Sequence, residues 1–187
     1  MSIVSRKGKL LIAAPSMLDP NFARTVTLMI EDHEEGSLGL VLNRPTQLRV
    51  REAWDRLERV DTPCRFRGKL YEGGPCPGPM AVLHKREDLS MVEVVAGIQF
   101  TTDSDHIAEL LEENDTPMRC FVNYAGWGPG QLEMELDFGS WVVAPTNHAT
   151  VFEPRPDTWD RLMQAVAPIQ ATQLKNPTLA PPDPDLN

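Results

Sequence analysis

The first apolar block, residues 9–14, is continuous and ends at Pro15, the mark of a short buried strand closed by a breaker. Residues 24–31 are rich in β-branched side chains and read as a second strand, and 38–42 read as a third. Glu34, Glu35 and Gly36 turn the chain between them, which predicts a hairpin. Gly39 inside the third strand predicts a close backbone contact or a bulge. From Val50 the period changes. Ala53, Trp54, Leu57 and Val60 recur at three- and four-residue steps, the stripe of one helical face. On the opposite face Glu52 precedes Arg56, and Asp55 precedes Arg59, by the four residues that suit a helix ion pair.

Residues 69–72 read as a short strand before Gly73-Gly-Pro-Cys-Pro-Gly-Pro79, a run that cannot hold regular structure. Residues 80–83 and 91–95 resume as strands. Thr102 or Asp103 caps a helix that turns Ile107, Leu110 and Leu111 inward and ends near Asn114. Residues 118–124 alternate as a strand. Pro129 fits the first turn of a helix over 131–136, where its missing N–H costs nothing. A strand at 141–144 follows, then a helix opened by Asp157 or Thr158 with Leu162, Met163 and Val166 inward. Beyond Pro168 the composition turns polar and proline-rich. The expected organisation is one domain over 1–167 and a tail over 168–187. Irregular alternation of strands and helices, with hairpin-like neighbours, favours an α+β fold with a mixed sheet over a doubly wound parallel one.

A chain of 187 residues with 41% hydrophobic positions can bury a core without covalent staples. No apolar stretch is long enough to span a membrane, and the N-terminus lacks a signal-like run, so the expected location is cytoplasmic. Three cysteines without a Cys-x-x-Cys pair read as reduced thiols. A net charge of −9 argues against binding nucleic acid through bulk electrostatics. The most basic stretch, 44–69, is interleaved with Glu52, Asp55, Glu58 and Asp61 and reads mainly as a solvated helix face.

Tests for chemistry return little. The four histidines form no metal-binding pair, and Asp103-Ser-Asp-His106 coincides with a helix start, where acidic caps belong. No G-x-S-x-G elbow exists. Cys76 lies on a proline-rich loop, but no cationic neighbour in sequence would stabilise its thiolate. Gly126-Trp-Gly-Pro-Gly130 precedes a helix; Pro129 removes one amide a phosphate would need, so a tight turn with Trp127 packed over it is favoured. Arg44, pushed out at a strand end by the following Pro45, reads as a clamp on a carboxylate within the fold before it reads as an anion ligand. No catalytic set, cofactor or metal is called for. The candidate binding positions are Asn43, Arg44, Gly73, Gly74, Tyr124, Trp127 and Gln131.

These segments, in order, carry a resemblance. Gly8-Lys-Leu-Leu-Ile-Ala-Ala-Pro15, Phe22-Ala-Arg-Thr-Val26 and Gly36-Ser-Leu-Gly-Leu-Val-Leu-Asn-Arg-Pro45 are followed by Glu72-Gly-Gly-Pro75. Tyr124-Ala-Gly-Trp-Gly-Pro-Gly-Gln-Leu-Glu133, Glu135 and Trp141 complete the set. Over roughly residues 8–152 the chain resembles the bacterial AlgH/YqgE family. Asn123 stands where that family usually has Gly, and Ser37-Leu38 replaces the commoner Ala-x. The resemblance implies a mixed, partly barrel-like β-sheet flanked by helices, and one branch is described as a regulator of alginate production. It brings no catalytic residue, cofactor or DNA-binding motif. The functional expectation is a binding or regulatory module with a protein or small-molecule partner. The alternative is an enzyme acting on a small anionic molecule in a loop-lined pocket, and direct DNA binding ranks third. If the loops at 43–45, 73–75 and 126–131 line one concavity, a shared site follows.

Overall fold

The computed structural model describes residues 5–56 and 62–174. In chain order its strands are β1 (Lys9–Ala13), β2 (Val26–His33), β3 (Gly36–Val41), β4 (Pro45–Arg49), β5 (Lys69–Glu72), β6 (Ala81–His84), β7 (Val92–Val95), β8 (Ile98–Thr101), β9 (Arg119–Val122), β10 (Ala125–Trp127) and β11 (Trp141–Pro145). The helices are α1 (Val50–Trp54), α2 (Ser104–Glu113), α3 (Gln131–Asp137), α4 (His148–Phe152) and α5 (Thr158–Leu174). Two sheets form. The first runs β10-β3-β2-β1-β11 and is antiparallel throughout; the second runs β4-β5-β9-β6-β8-β7, with β5 and β9 parallel. The fold is α+β, and neither sheet closes into a barrel.

The sheets share one apolar layer. Leu10, Ile12, Leu28, Ile30 and Leu40 of the first sheet pack in one cluster with Tyr71, Leu83, Phe100 and Phe121 of the second. Val151 of α4 and Trp159 and Val166 of α5 complete this layer. The outer face of the first sheet, with Leu11, Ala13 and Met29, is covered by Leu132 of α3 and by Met17 and Phe22 of the preceding loop. On the outer face of the second, Leu70, Val82 and Cys120 lie under α1 and α2. Strand β1 is therefore covered on both faces, which is why its sequence is a continuous apolar run rather than an alternation. Burying one such aliphatic side chain contributes roughly 1.5–3 kcal/mol.

The β2–β3 hairpin forms as expected, and both readings of Gly39 hold. Met29 pairs with Gly39 and Glu31 with Leu38, leaving a register shift at that point. A Cβ on Gly39 would lie 2.7 Å from Thr27 Cγ2. Helix α2 starts at Asp103, whose carboxylate accepts from the amides of Asp105 and His106 at 2.9 and 3.1 Å, and it stops at left-handed Asn114. Those two bonds hold the Asp103 carboxyl below its ordinary range, so this acid is spent as a cap.

Other expectations are corrected. Helix α1 ends at Trp54; Leu57, Arg59 and Val60 lie outside the described residues. The pairing on α1 is Arg51 with Asp55 at 3.6 Å, while Glu52 accepts the Arg49 amide at 3.1 Å, closing the first turn instead of meeting Arg56. Pro129 sits outside α3, because Gly130, at φ 73°, is the capping residue. Helix α5 continues past Pro168 to Leu174, into the segment read as tail. Three strands carry too little pattern to be read: β4 begins at a proline on a sheet edge, β8 buries Gln99 and Thr101, and glycine-rich β10 is three residues long.

Candidate functional site

The turn from β3 into β4 is held by its own side chains. Asn43 Oδ1 accepts from the Val26 amide at 2.9 Å, and its Nδ2 donates to the Arg24 carbonyl at 2.8 Å, tying the start of β2 to the end of β3. Arg44 is half-buried and donates through Nη2 to the Ala23 carbonyl at 2.6 Å. Its partner is a backbone oxygen, not the carboxylate expected of it. The carboxylate clamp belongs instead to Arg24, whose Nη2 donates to both Asp160 carboxylate oxygens, at 2.7 and 2.8 Å.

Gly73 and Gly74 let two chain segments cross in contact. A Cβ on Gly73 would come within 2.4 Å of the Asn123 carbonyl oxygen, and one on Gly74 within 2.3 Å of the Tyr124 backbone. Gly73 also links the sheets, accepting from the Val41 amide at 2.8 Å and donating to the Val122 carbonyl at 2.7 Å. Beyond it, Cys76 and Tyr124 exchange both backbone hydrogen bonds.

Trp127 is buried beside Trp141 and Phe22. Both indole N–H groups donate to Glu135 Oε2, at 3.0 and 2.7 Å. Gln131 donates to Glu135 Oε1 at 2.9 Å and accepts the Gly128 amide at 3.1 Å. The glycine-rich loop before α3 is thus fastened to the helix by its own polar groups, with the Gly128 amide taken by the Gln131 side chain.

The three loops do not share one concavity. Arg44, Pro45, Glu72, Gly74 and Pro75 line a pocket of about 430 Å³. Tyr124, Gly126 and Trp127 line a separate, more open one of about 420 Å³ with Cys76, Glu31 and His33. Gln131 lines neither. In the open pocket His33 Nε2 stands 4.0 Å from Glu31 Oε2, with both side chains exposed.

Two buried polar groups went unread in the sequence. His84 is fully buried; its Nδ1 accepts the Arg86 amide at 3.2 Å and its Nε2 has no partner. Burial, with the nearby positive charge of His106 and Arg86, pushes it down to about 4. Arg119 is 3% exposed, between the sheets. The available signal was parity: Arg119 stands two residues before Phe121 on a strand whose alternate positions face the core. Among the thiols, burial pushes Cys64 and Cys120 up, leaving them in the unreactive protonated form.

Comparison with known proteins fixes the family. A model described as AlgH-like matches residues 10–169. The chain belongs to the AlgH-like family. It is 38% identical over 165 residues to a UPF0301 protein of Chlorobaculum tepidum, covering 85% of this chain and 83% of that one. A UPF0301 protein of Streptomyces avermitilis is 37% identical over 199 residues, with 99% and 97% covered. The solution structure of the AlgH protein from Pseudomonas aeruginosa superposes with a TM-score of 0.72 at 31% identity, covering 96% of this chain and 98% of that one. A crystal structure from Corynebacterium diphtheriae gives 0.65 at 27% identity, with 84% and 85% covered.

Of the segments that carry the AlgH-like resemblance, 72–75 links the two sheets through the backbone bonds of Gly73 to Val41 and Val122. Asn123 adopts φ 61°, the left-handed region that glycine enters freely, which fits the expectation from the resemblance that a glycine commonly stands there. It adds what glycine cannot: Nδ2 donates to Glu72 Oε1 at 2.7 Å and Oδ1 accepts the Gly78 amide at 3.4 Å. Among the described residues no helix is long and apolar enough to cross a membrane, and no three His, Cys, Asp or Glu are grouped to hold a metal ion.

Proposed function

We propose that this AlgH-like chain is a cytoplasmic, non-catalytic binding or regulatory module that recognises a protein or small-molecule partner beside the 43–46 turn. The observation that carries this reading is the pocket of about 430 Å³ in which Arg44 and Glu72 stand with Gly74 and Pro75. Both charged side chains are held from behind, Arg44 by the Ala23 carbonyl and Glu72 by Asn123 Nδ2. A fixed positive and a fixed negative group on a rigid rim suit recognition, because little side-chain entropy is lost when a partner docks. Any regulatory role then acts through such a partner and not through direct operator contact, since the chain carries a net charge of −9. Affinity capture from a bacterial lysate with the purified chain is expected to recover one specific partner. Arg44→Ala is expected to lose it while keeping the fold. No specific capture across a range of salt concentrations would count against the proposal, as would capture that Arg44→Ala leaves intact.

A further inference from the structure

A smaller pocket, about 280 Å³, shares Pro45 with the Arg44 pocket and lies between the 43–46 turn, β5 and the connection from α4 to α5. Its walls are apolar and stiff: Leu42, the ring of Tyr71, and the prolines Pro45, Pro154 and Pro156. Among the described residues, its charged lining groups are Lys69 and Arg155. Asn43, already fixed by its two backbone hydrogen bonds, adds a polar edge. In a chain with a net charge of −9, a concavity whose charged lining is entirely positive runs against composition.

A third cation stands behind the wall. The Arg119 guanidinium carbon lies 3.9 Å from the centroid of the Tyr71 ring. Its Nη1 donates to the Val151 carbonyl at 3.0 Å and its Nη2 to the carbonyl of Leu42, while Nε is buried with no partner. Among the described residues, no carboxylate lies within ion-pair distance of Arg119 or Lys69. Arg155 has one acidic neighbour, Asp157, at 3.3 Å, and both side chains are more than half exposed. A buried arginine without a counter-ion carries a desolvation penalty that carbonyl oxygens offset only in part. Leu42 and Tyr71, two of the residues that touch Arg119, are also pocket walls, so an anion seated there is separated from the guanidinium by one aromatic layer.

We propose that this pocket binds a small organic phosphate, its dianionic head between Lys69 and Arg155 and its apolar body against Tyr71 and the prolines. Two cations in the lining and a third behind Tyr71 favour a dianion over a monocarboxylate, and the volume lies just below the usual range of ligand sites, too small for a drug-sized molecule. This site is distinct from the Arg44 pocket, so the two proposals stand or fall separately.

Phenyl phosphate is the probe. In an amide-resolved NMR titration it is expected to bind saturably at millimolar concentrations, with shifts confined to residues around Asn43, Lys69, Tyr71 and Arg155. Lys69→Ala and Arg155→Ala are each expected to weaken binding roughly tenfold. Both side chains are exposed, so the variants should fold normally. Arg51→Ala, on α1, is expected to leave the affinity unchanged, and benzyl alcohol, with a comparable ring and no charge, should not saturate the site. Shifts spread over the surface without saturation would overturn the proposal. So would an affinity in the Lys69 and Arg155 variants equal to that of the parent, or binding of benzyl alcohol as tight as that of the phosphate.

Discussion

Asn123 shows how one side chain can take over a glycine's place and add to it. A non-glycine residue at φ 61° costs roughly 1–2 kcal/mol unless, like Asn, it has a short polar side chain that bonds locally. Here that side chain bonds Glu72 and the Gly78 amide. Asn123→Ala introduces the backbone strain and drops the hydrogen bonds, so a loss of about 2 kcal/mol is expected in urea unfolding. Asn123→Gly drops only the bonds and should cost about 1 kcal/mol. An alanine variant as stable as the glycine variant would show that the left-handed backbone does not govern this position. Glu135 is the other residue with several duties, accepting from Trp127, Trp141 and Gln131 at once. It ties the glycine-rich loop to the first sheet, and its spacing from Trp127 and Gln131 is a structural signature that looks like a site when met as sequence.

Among the elements, α5 is attached by a few concentrated contacts. Trp159 is buried in the layer between the sheets, donates to the Ala13 carbonyl at 2.8 Å, and carries the Arg24 guanidinium 4.2 Å above its ring. Next to it, Asp160 takes both Arg24 hydrogen bonds at the surface. Burial and charge can be separated here. Trp159→Ala is expected to destabilise the protein by about 3–5 kcal/mol, the usual range for deleting a large buried ring. Asp160→Ala should cost less than about 1 kcal/mol, since both partners of that ion pair are about half exposed. Chemical denaturation of the two variants checks the ranking; comparable losses would mean that the ion pair secures the helix as much as the indole does.

At the scale of the molecule, layering leaves His84 enclosed beneath the helical layer of the second sheet, and this makes stability depend on pH. Its folded value is about 4 against an ordinary 6.5. Above pH 6.5 both folded and unfolded chains hold it neutral, and it imposes no dependence. As pH falls from 6.5 towards 4 the unfolded chain takes up a proton that the folded one refuses, so stability drops by roughly 3 kcal/mol at about 1.4 kcal/mol per unit. Asp88, held down to about 2 by its hydrogen bonds to Arg86, acts only lower, between its ordinary 3.8 and that value. The unfolding midpoint of the parent is expected to fall between pH 6.5 and 4, and that of His84→Leu to stay nearly flat there. Parallel curves for the two proteins would remove His84 as the cause.

The apolar pattern of this chain determined the elements with the strongest periods: buried β1, the β2–β3 hairpin with its irregularity at Gly39, α2 with its Asp103 cap, and the inward face of α5. Local chemistry suffices for these, because side-chain period and capping act within a few residues. Tertiary structure decided the rest. Edge strands β4 and β10 exist because a neighbouring strand supplies their hydrogen bonds, and nothing within five or three residues announces that. Gly73 and Gly74, Trp127 and Gln131 stood out in sequence, and contacts with residues distant along the chain, or with the α3 turn, explain their geometry. The cationic pocket was illegible for the same reason. Lys69 and Arg119 sit on the neighbouring strands β5 and β9 and Arg155 on the connection from α4 to α5, and only the pairing of those strands and the docking of that connection set their charges around the same space.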